Sequence, residues 1–276
     1  MSLSRWNKLW HDLLLYRYLI GIQVKAQFQY KINLLIDIST YLAVTGLEFV
    51  ALLLFFGPFP DMLGWKMGEV ALLCSVMNLS FGLAELVGAG IDNFSETIRR
   101  GEFDRVLLRP TGVFLQIIGS DFRLRRLGRI SLGILGFAFS LSLLPNLHWT
   151  WSKLLLLPLG IVSTTVIFLS ILLLGACICF WTVEAVEITN VLSYGGREML
   201  SYPLTVYNGL LQRIFLFVVP LAFGSYVPVC YALGRPLPFG MSEWLAFCSP
   251  LPAVLFACVC GGFWSFGVRH YQSTGN

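Results

Sequence analysis

Along this chain the polar residues fall in short clusters between long apolar runs. Six runs, roughly 32–56, 68–91, 129–146, 154–182, 207–222 and 250–268, are rich in Leu, Ile, Val and Phe. A helix needs about 20 such residues to cross a ~30 Å hydrocarbon core, so the pattern predicts six membrane spans. Gly57, Pro58 and Pro60 separate the first two spans. Pro145 and "HWTW" at 148–151 separate the third from the fourth, with aromatics where a membrane interface favours them. Residues 220–252 remain apolar but hold six prolines, too many for one straight helix. Ahead of the spans, Trp6, Leu9, Trp10, Leu13, Leu14 and Tyr16 recur at helical spacing, with Arg5, Lys8, Asp12 and Arg17 on other faces. This predicts a helix over 1–28 lying in the membrane interface. A secretory signal is not expected, because there is no uninterrupted apolar core and no small-residue cleavage site.

Composition turns the pattern into a class. Of 276 residues, 57% are hydrophobic and 12% charged, against about 25% charged in soluble domains. Mean hydropathy is +0.75. The expected fold is an all-α integral membrane protein built as one domain over 1–276, without internal repeats or low-complexity tracts. Basic residues then orient it. With the amino terminus inside, sixteen of the nineteen lysines and arginines fall on one side; Lys66, Lys153 and Arg235 fall on the other. The positive-inside rule therefore predicts cytoplasmic termini and a cytoplasmic 92–112 segment. Cys177 with Cys179, and Cys258 with Cys260, sit two apart in apolar helices and point apart, as apolar fillers rather than metal ligands. Cys230 and Cys248 could lie near one membrane face and pair, or remain thiols.

One segment breaks the pattern. "IDNFSETIRRGEFDRVLLRPTG", 91–112, packs four carboxylates and four arginines between two nearly uncharged blocks. Asn93 followed by Glu96 has capping-box spacing, Arg99 and Arg100 suit a last helical turn, and Gly101 suits a left-handed stop. A helix of about two turns is expected, too short to be stable without something to dock on. Phe94, Ile98, Phe103, Val106 and Leu107 read as exposed apolar anchors rimmed by both signs of charge, a partner-binding composition. The other reading is a solvated positive-inside loop.

"IRRGEFDRVLLRPTGVFLQ" resembles the cytoplasmic loop of ATP-binding-cassette permeases of the second (exporter) type, closest to a bacterial six-span subfamily. The shared signature here is Gly101, Phe103, Asp104, Leu107, Leu108, Arg109 and Pro110. A second similar block is "SYPLTVYNGLLQRIFLFVVPLAFGSYVPVCYALGRP", 201–236, with Tyr202-Pro203, Val219-Pro220 and Tyr226-Val227-Pro228. The resemblance implies that 93–100 is a coupling helix seated in a groove of an ATPase subunit. The residues it would use are Phe94, Glu96, Ile98, Arg99, Arg100, Glu102, Phe103, Asp104 and Arg105. It further implies that 220–252 forms re-entrant helices in the outer leaflet of a bacterial inner membrane. A second permease, identical or related, and two ATPase subunits are expected as partners. ATP and Mg are then expected in those subunits and no cofactor in this chain, which has no Gly-Lys pair from which to build a phosphate-binding loop.

Asp37 and Glu48 fall in the first span and Glu85 in the second. Carboxylates at that depth cost about 2.5–3.5 kcal/mol and usually face a cavity or partner. They either line a pathway or permease interface, or are satisfied locally: Asp37 by Lys31 or Lys25, Glu48 or Glu85 by protonation or by Ser, Thr or Asn78. Glu184, Glu187, Arg197 and Glu198 form a second polar cluster, an ATPase contact or a solvated loop. The basic run "FRLRRLGR", 122–129, is expected to grip anionic lipid headgroups rather than nucleic acid. His11, His148 and His270 lie too far apart for a histidine-based site. A transport subunit is therefore expected, driven by alternating access, with a passive channel or assembly scaffold as the alternative and an intramembrane enzyme behind both. The Phe, Leu and Trp of the spans suit a lipidic cargo and lipid contact equally.

Overall fold

The computed structural model describes residues 5–145, 147–182 and 186–272. Helix α1 (Arg5–Gln29) is followed by a break at Tyr30, with φ/ψ of −113°/63°, before α2 (Lys31–Phe56) begins. The amphipathic leader is thus a helix separate from the first span. Of its predicted apolar face, Trp10 and Leu14 are exposed, while Trp6, Leu9 and Leu13 lie outside the described side chains. The chain continues through α3 (Met67–Asp92), α4 (Phe94–Arg99), α5 (Phe103–Leu107) and α6 (Val113–Ile118). After a 3₁₀ turn at Leu124–Arg126 come α7 (Leu127–Ser142), α8 (Trp151–Ile178) and α9 (Val186–Asn190). A π-helical turn, Val191–Gly195, leads into α10 (Gly196–Leu200). Then follow α11 (Gly209–Arg213), a second π turn (Ile214–Val218), α12 (Leu221–Gly224), α13 (Tyr226–Leu233) and α14 (Pro250–His270). Among the described residues the only extended pairing is an isolated bridge, Met62 to Trp65.

Four helical segments are long and apolar enough to cross a membrane: Lys31–Phe56, Met67–Arg99, Trp151–Ile178 and Glu243–His270. A fifth is broken. Gly209–Val218 and Leu221–Leu233 meet at a 74° bend, because Pro220 supplies no N–H to carry the helix through. The expected third span is the 16-residue α7, about 24 Å long at 1.5 Å per residue. The second expected span runs on further than its apolar pattern, since α4 follows α3 after Asn93 alone.

Helix α3 is the axis of the bundle. Val70, Leu73, Met77 and Phe81 are fully buried on it, between α7 on one side and α8 on the other. Helices α2 and α14 flank this centre and bury far less of their surface. The α3–α7 crossing is close because Gly133 lies over the Leu79 backbone, the small-residue packing that membrane helices favour. The short α12 and α13 wedge against α8 and α3, and α13 stops at Gly234 in the left-handed conformation, φ +69°. Arg235 then pins the proline-rich segment to the start of α3. Its Nε donates to Glu69 Oε1 at 2.8 Å, its Nη2 to the Gly64 carbonyl at 2.6 Å, and its guanidinium stacks on Trp65 at 4.3 Å. Hydrogen bonding to Glu69 raises the Arg235 pKa above its ordinary value. All seven cysteines are free thiols; Cys230 is buried and Cys248 exposed, so they do not pair.

At the opposite end, α6 lies against α3 where Gly90 has no side chain. A Cβ there would run into the Ile117 carbonyl oxygen. Gly90→Ala should therefore push α6 off α3 and cost about 1–3 kcal/mol, as overpacking does. Gly262→Ala meets nothing within 4 Å and serves as the control. Thermal unfolding in detergent checks the pair: only the Gly90 variant should melt earlier.

Candidate functional site

The charged segment is a mounted elbow. The helices meet at Asn93: its N–H closes α3 on Ala89 O at 3.2 Å, and its carbonyl opens α4 by accepting Glu96 N at 3.1 Å. Asn93 sits at φ/ψ −88°/5° without a side-chain cap, so the predicted capping box does not form. Its amide instead donates to Asp121, which also takes Arg123 at 2.8 Å. The predicted stop does form, with Gly101 at φ +68°. Past it the chain reverses through α5 and α6.

The apolar anchors are a correction. Phe94 and Phe103 are 0% exposed and Ile98 is 5% exposed, so they are not free to meet a partner. They dock on their own chain. The Phe94 ring lies 5.2 Å from Phe103, 5.3 Å from Phe180 and 5.1 Å from Trp264, and Phe103 lies 4.8 Å edge-on from Tyr271. Such aromatic pairs add about 0.5–1.5 kcal/mol each beyond area burial. The segment is a two-turn helix made stable by the ends of α8 and α14. Val106 is half-buried, whereas Leu107 and Leu108 are exposed. The charges point out: Arg99 and Arg100 side chains are 67% and 65% exposed, each ion-paired with Glu96, at 3.0 and 2.7 Å. Glu102 and Arg105 are exposed and Asp104 half-buried.

The second constellation lies within the bundle. Glu85 on α3 is 2% exposed and ion-paired with both Arg126 and Arg129, the latter at 2.5 Å, and it accepts the Tyr194 hydroxyl at 2.9 Å. Arg126 also reaches Asp92, at 3.2 Å. About two turns before Glu85, level with Asn78 of α3, Glu48 of α2 accepts Arg197 Nη1 and Nη2 at 2.8 and 3.0 Å and the Asn78 amide at 3.2 Å. Arg197 also pairs with Glu198 and donates to Asn78 Oδ1 at 2.9 Å. The Phe81 ring separates the two groups, with Arg129 at 5.0 Å and Arg197 at 5.9 Å from its centroid.

Of the three acids singled out from the sequence, Glu48 does meet Asn78, but the arginines were missed as partners of Glu48 and Glu85. The run 122–129 is corrected accordingly: Arg126 and Arg129 are buried against carboxylates, Arg123 is held by Asp121, and Arg125 stacks on Tyr41 at 5.5 Å. Arg197 and Glu198 join Glu48 rather than forming a peripheral cluster; Glu187 is exposed and Glu184 lies outside the described residues. Asp37 is exposed on α2 and forms no ion pair among the described residues, with neither Lys25 nor Lys31. A signal was available: two arginines one turn apart at the mouth of a span are natural counter-ions for acids within it.

Apolar spans, a charged elbow at one end and paired ions within define a multi-pass membrane protein. The profile of the ABC-2 family transporter protein matches residues 42–275, and the chain belongs to that family. It is a membrane permease subunit of an ABC transporter, a component that works with ABC ATPase subunits. Neither the curated proteins nor the solved structures searched gave a match.

Glu85→Gln would leave two buried guanidinium groups without the anion they share. Breaking a buried pair in this way costs about 3–5 kcal/mol. Arg129→Gln made on top of it should cost less than Arg129→Gln alone. A double-mutant cycle on thermal unfolding measures this, and strictly additive costs would show that the pair is not coupled.

Proposed function

We propose that this chain is the permease half of an ATP-driven exporter, paired with a second permease and two ATPase subunits that hold the ATP and Mg. In this reading α4 is the coupling helix. Its outward face offers Glu96, Arg99 and Arg100 to the motor, with Glu102, Asp104 and Arg105 along the edge and Leu107 and Leu108 as exposed apolar contacts. Phe94, Ile98 and Phe103 serve from behind, as the mount that ties the contact to the spans. Six crossings follow if α7 and the α11 segment up to Pro220 each count as one, with 220–252 entering from the outer leaflet of a bacterial inner membrane. Both termini and the elbow are then cytoplasmic, as the distribution of basic residues favours. Closure of the motor pair pushes on α4 and opens the interface between two permeases outward. Asp37, exposed on α2, is proposed to face that interface directly, and Glu48, half-buried where it holds Arg197 and Asn78, to stand at its inner edge; Glu85 serves from within, holding α3 to the α7 arginines.

The observation that carries the reading is the burial pattern of the family signature. A solvated loop would leave its phenylalanines unanchored, whereas here aromatics lock the segment down and leave a dense charged face outward. Reversing Arg99 and Arg100 to Glu should abolish that complementarity, costing about 2–5 kcal/mol in a partly desolvated contact. The expected result is a membrane-inserted permease that loses its ATPase on detergent co-purification, or keeps it without ATP-dependent transport in vesicles. Full ATPase recovery with undiminished transport would remove the coupling assignment.

A further inference from the structure

A cavity of about 410 Å³ lies between α1, α5 and α6, with Thr97 of α4 in its wall. Arg105 of α5 and Arg109 just beyond its end line it, and neither forms an ion pair among the described residues. Glu102 lines it as well, so the charged groups facing the cavity sum to a single positive charge. From α1 come Leu19 and Gln23, the latter held by its bond to the Ser120 carbonyl at 2.8 Å. The wall is completed by Gln116, 6% exposed. Its amide nitrogen donates to the Val106 and Thr111 carbonyls, both at 3.1 Å, and leaves Oε1 buried without a partner.

Its place in the fold says what could reach it. Trp10, Leu14, Tyr18 and Ile22 form an exposed apolar stripe along α1. In an α-helix one residue turns about 100°, so Leu19 and Gln23 stand on the face next to Tyr18 and Ile22. An amphipathic helix seats such a stripe at the headgroup–acyl boundary. The cavity therefore opens at headgroup depth, beside acyl chains rather than in open solvent.

We propose that this cavity binds the headgroup of an anionic glycerophospholipid, its phosphodiester between Arg105 and Arg109 and its acyl chains along the α1 stripe. Two arginines offset by one carboxylate suit the single charge of a phosphodiester better than the double charge of free phosphate. Basic pockets at the ends of membrane helices are a recurrent form of lipid recognition. A lipid seated there braces α5 and α6 against α1, and so steadies the elbow from the side opposite the aromatic mount.

The test is native mass spectrometry of the full chain released from nanodiscs containing phosphatidylglycerol, phosphatidylethanolamine or phosphatidylcholine. Wild-type protein should retain phosphatidylglycerol preferentially, and excess inorganic phosphate should not displace it. Arg105→Gln with Arg109→Gln should weaken that retention by roughly tenfold to thirtyfold, at about tenfold per 1.4 kcal/mol. Thr97→Trp, which fills the cavity and leaves both arginines in place, should do the same and carries the test if the double variant does not insert. Equal retention of the three lipids, or retention unchanged in an inserted variant, would overturn the proposal. Displacement by inorganic phosphate would also overturn it, marking a free-anion site. Arg105 belongs to the motor-facing edge as well, so lipid retention is read on the permease alone, and loss of the ATPase leaves the result unaffected.

Discussion

A carboxylate within an apolar bundle has to be neutralised where it stands, and this fold is arranged around meeting that condition twice. Glu85 draws Arg126 and Arg129 inward from the start of α7, and Glu48 draws Arg197 from α10. Each pair joins helices far apart along the chain, by 44 residues for Glu85–Arg129 and 149 for Glu48–Arg197. The Coulombic gain of such pairs only offsets the cost of taking the charges out of water, so they are poor reservoirs of stability. What they fix is geometry. A slip of α7 along α3 by one turn would leave two guanidinium groups and one carboxylate unpaired, which no apolar packing could offset.

The same network sits close to the charged elbow. Arg126 bridges Glu85 to Asp92, the last residue of α3, and the next residue, Asn93, holds Asp121. Tyr194, in a π-helical turn, donates to Glu85, and Arg197 lies one turn beyond it. Single π turns recur at functional positions, where an extra residue re-aims side chains. Here that turn is what allows Tyr194 to face one ion cluster and Arg197 the other, around the Phe81 ring.

Much of this architecture could be read from the sequence because hydropathy and glycine or proline punctuation report local physics. The four long spans, the separate leader helix, the left-handed Gly101 and the interruption at Pro220 all depend on nearest neighbours along the chain. The failures share the opposite cause. Phe94, Ile98 and Phe103 read as exposed because their neighbours in sequence are charged, yet their neighbours in space are Phe180, Trp264 and Tyr271, contributed by distant helices. Asn93 has the residue type and spacing of a cap, but its backbone is not extended and its side chain is drawn away to Asp121 on a distant segment. Arg126 and Arg129 look like headgroup contacts until α3 supplies Glu85. In the candidate site, the outward charges were legible and the mounting was not.

Helix α4 carries one mechanical consequence. From Met67 to Arg99, α3 and α4 together run 33 residues, about 50 Å at 1.5 Å per residue, with Asn93 as the one break between them. That joint is a single residue held by its bond to Asp121, so little slack lies between the charges at the tip and the Arg235 clasp at the far end. A force applied at the tip would reach the body of α3 directly rather than be taken up in a long flexible connector. Stiffness of this kind ties the position of one end of the bundle to the position of the other.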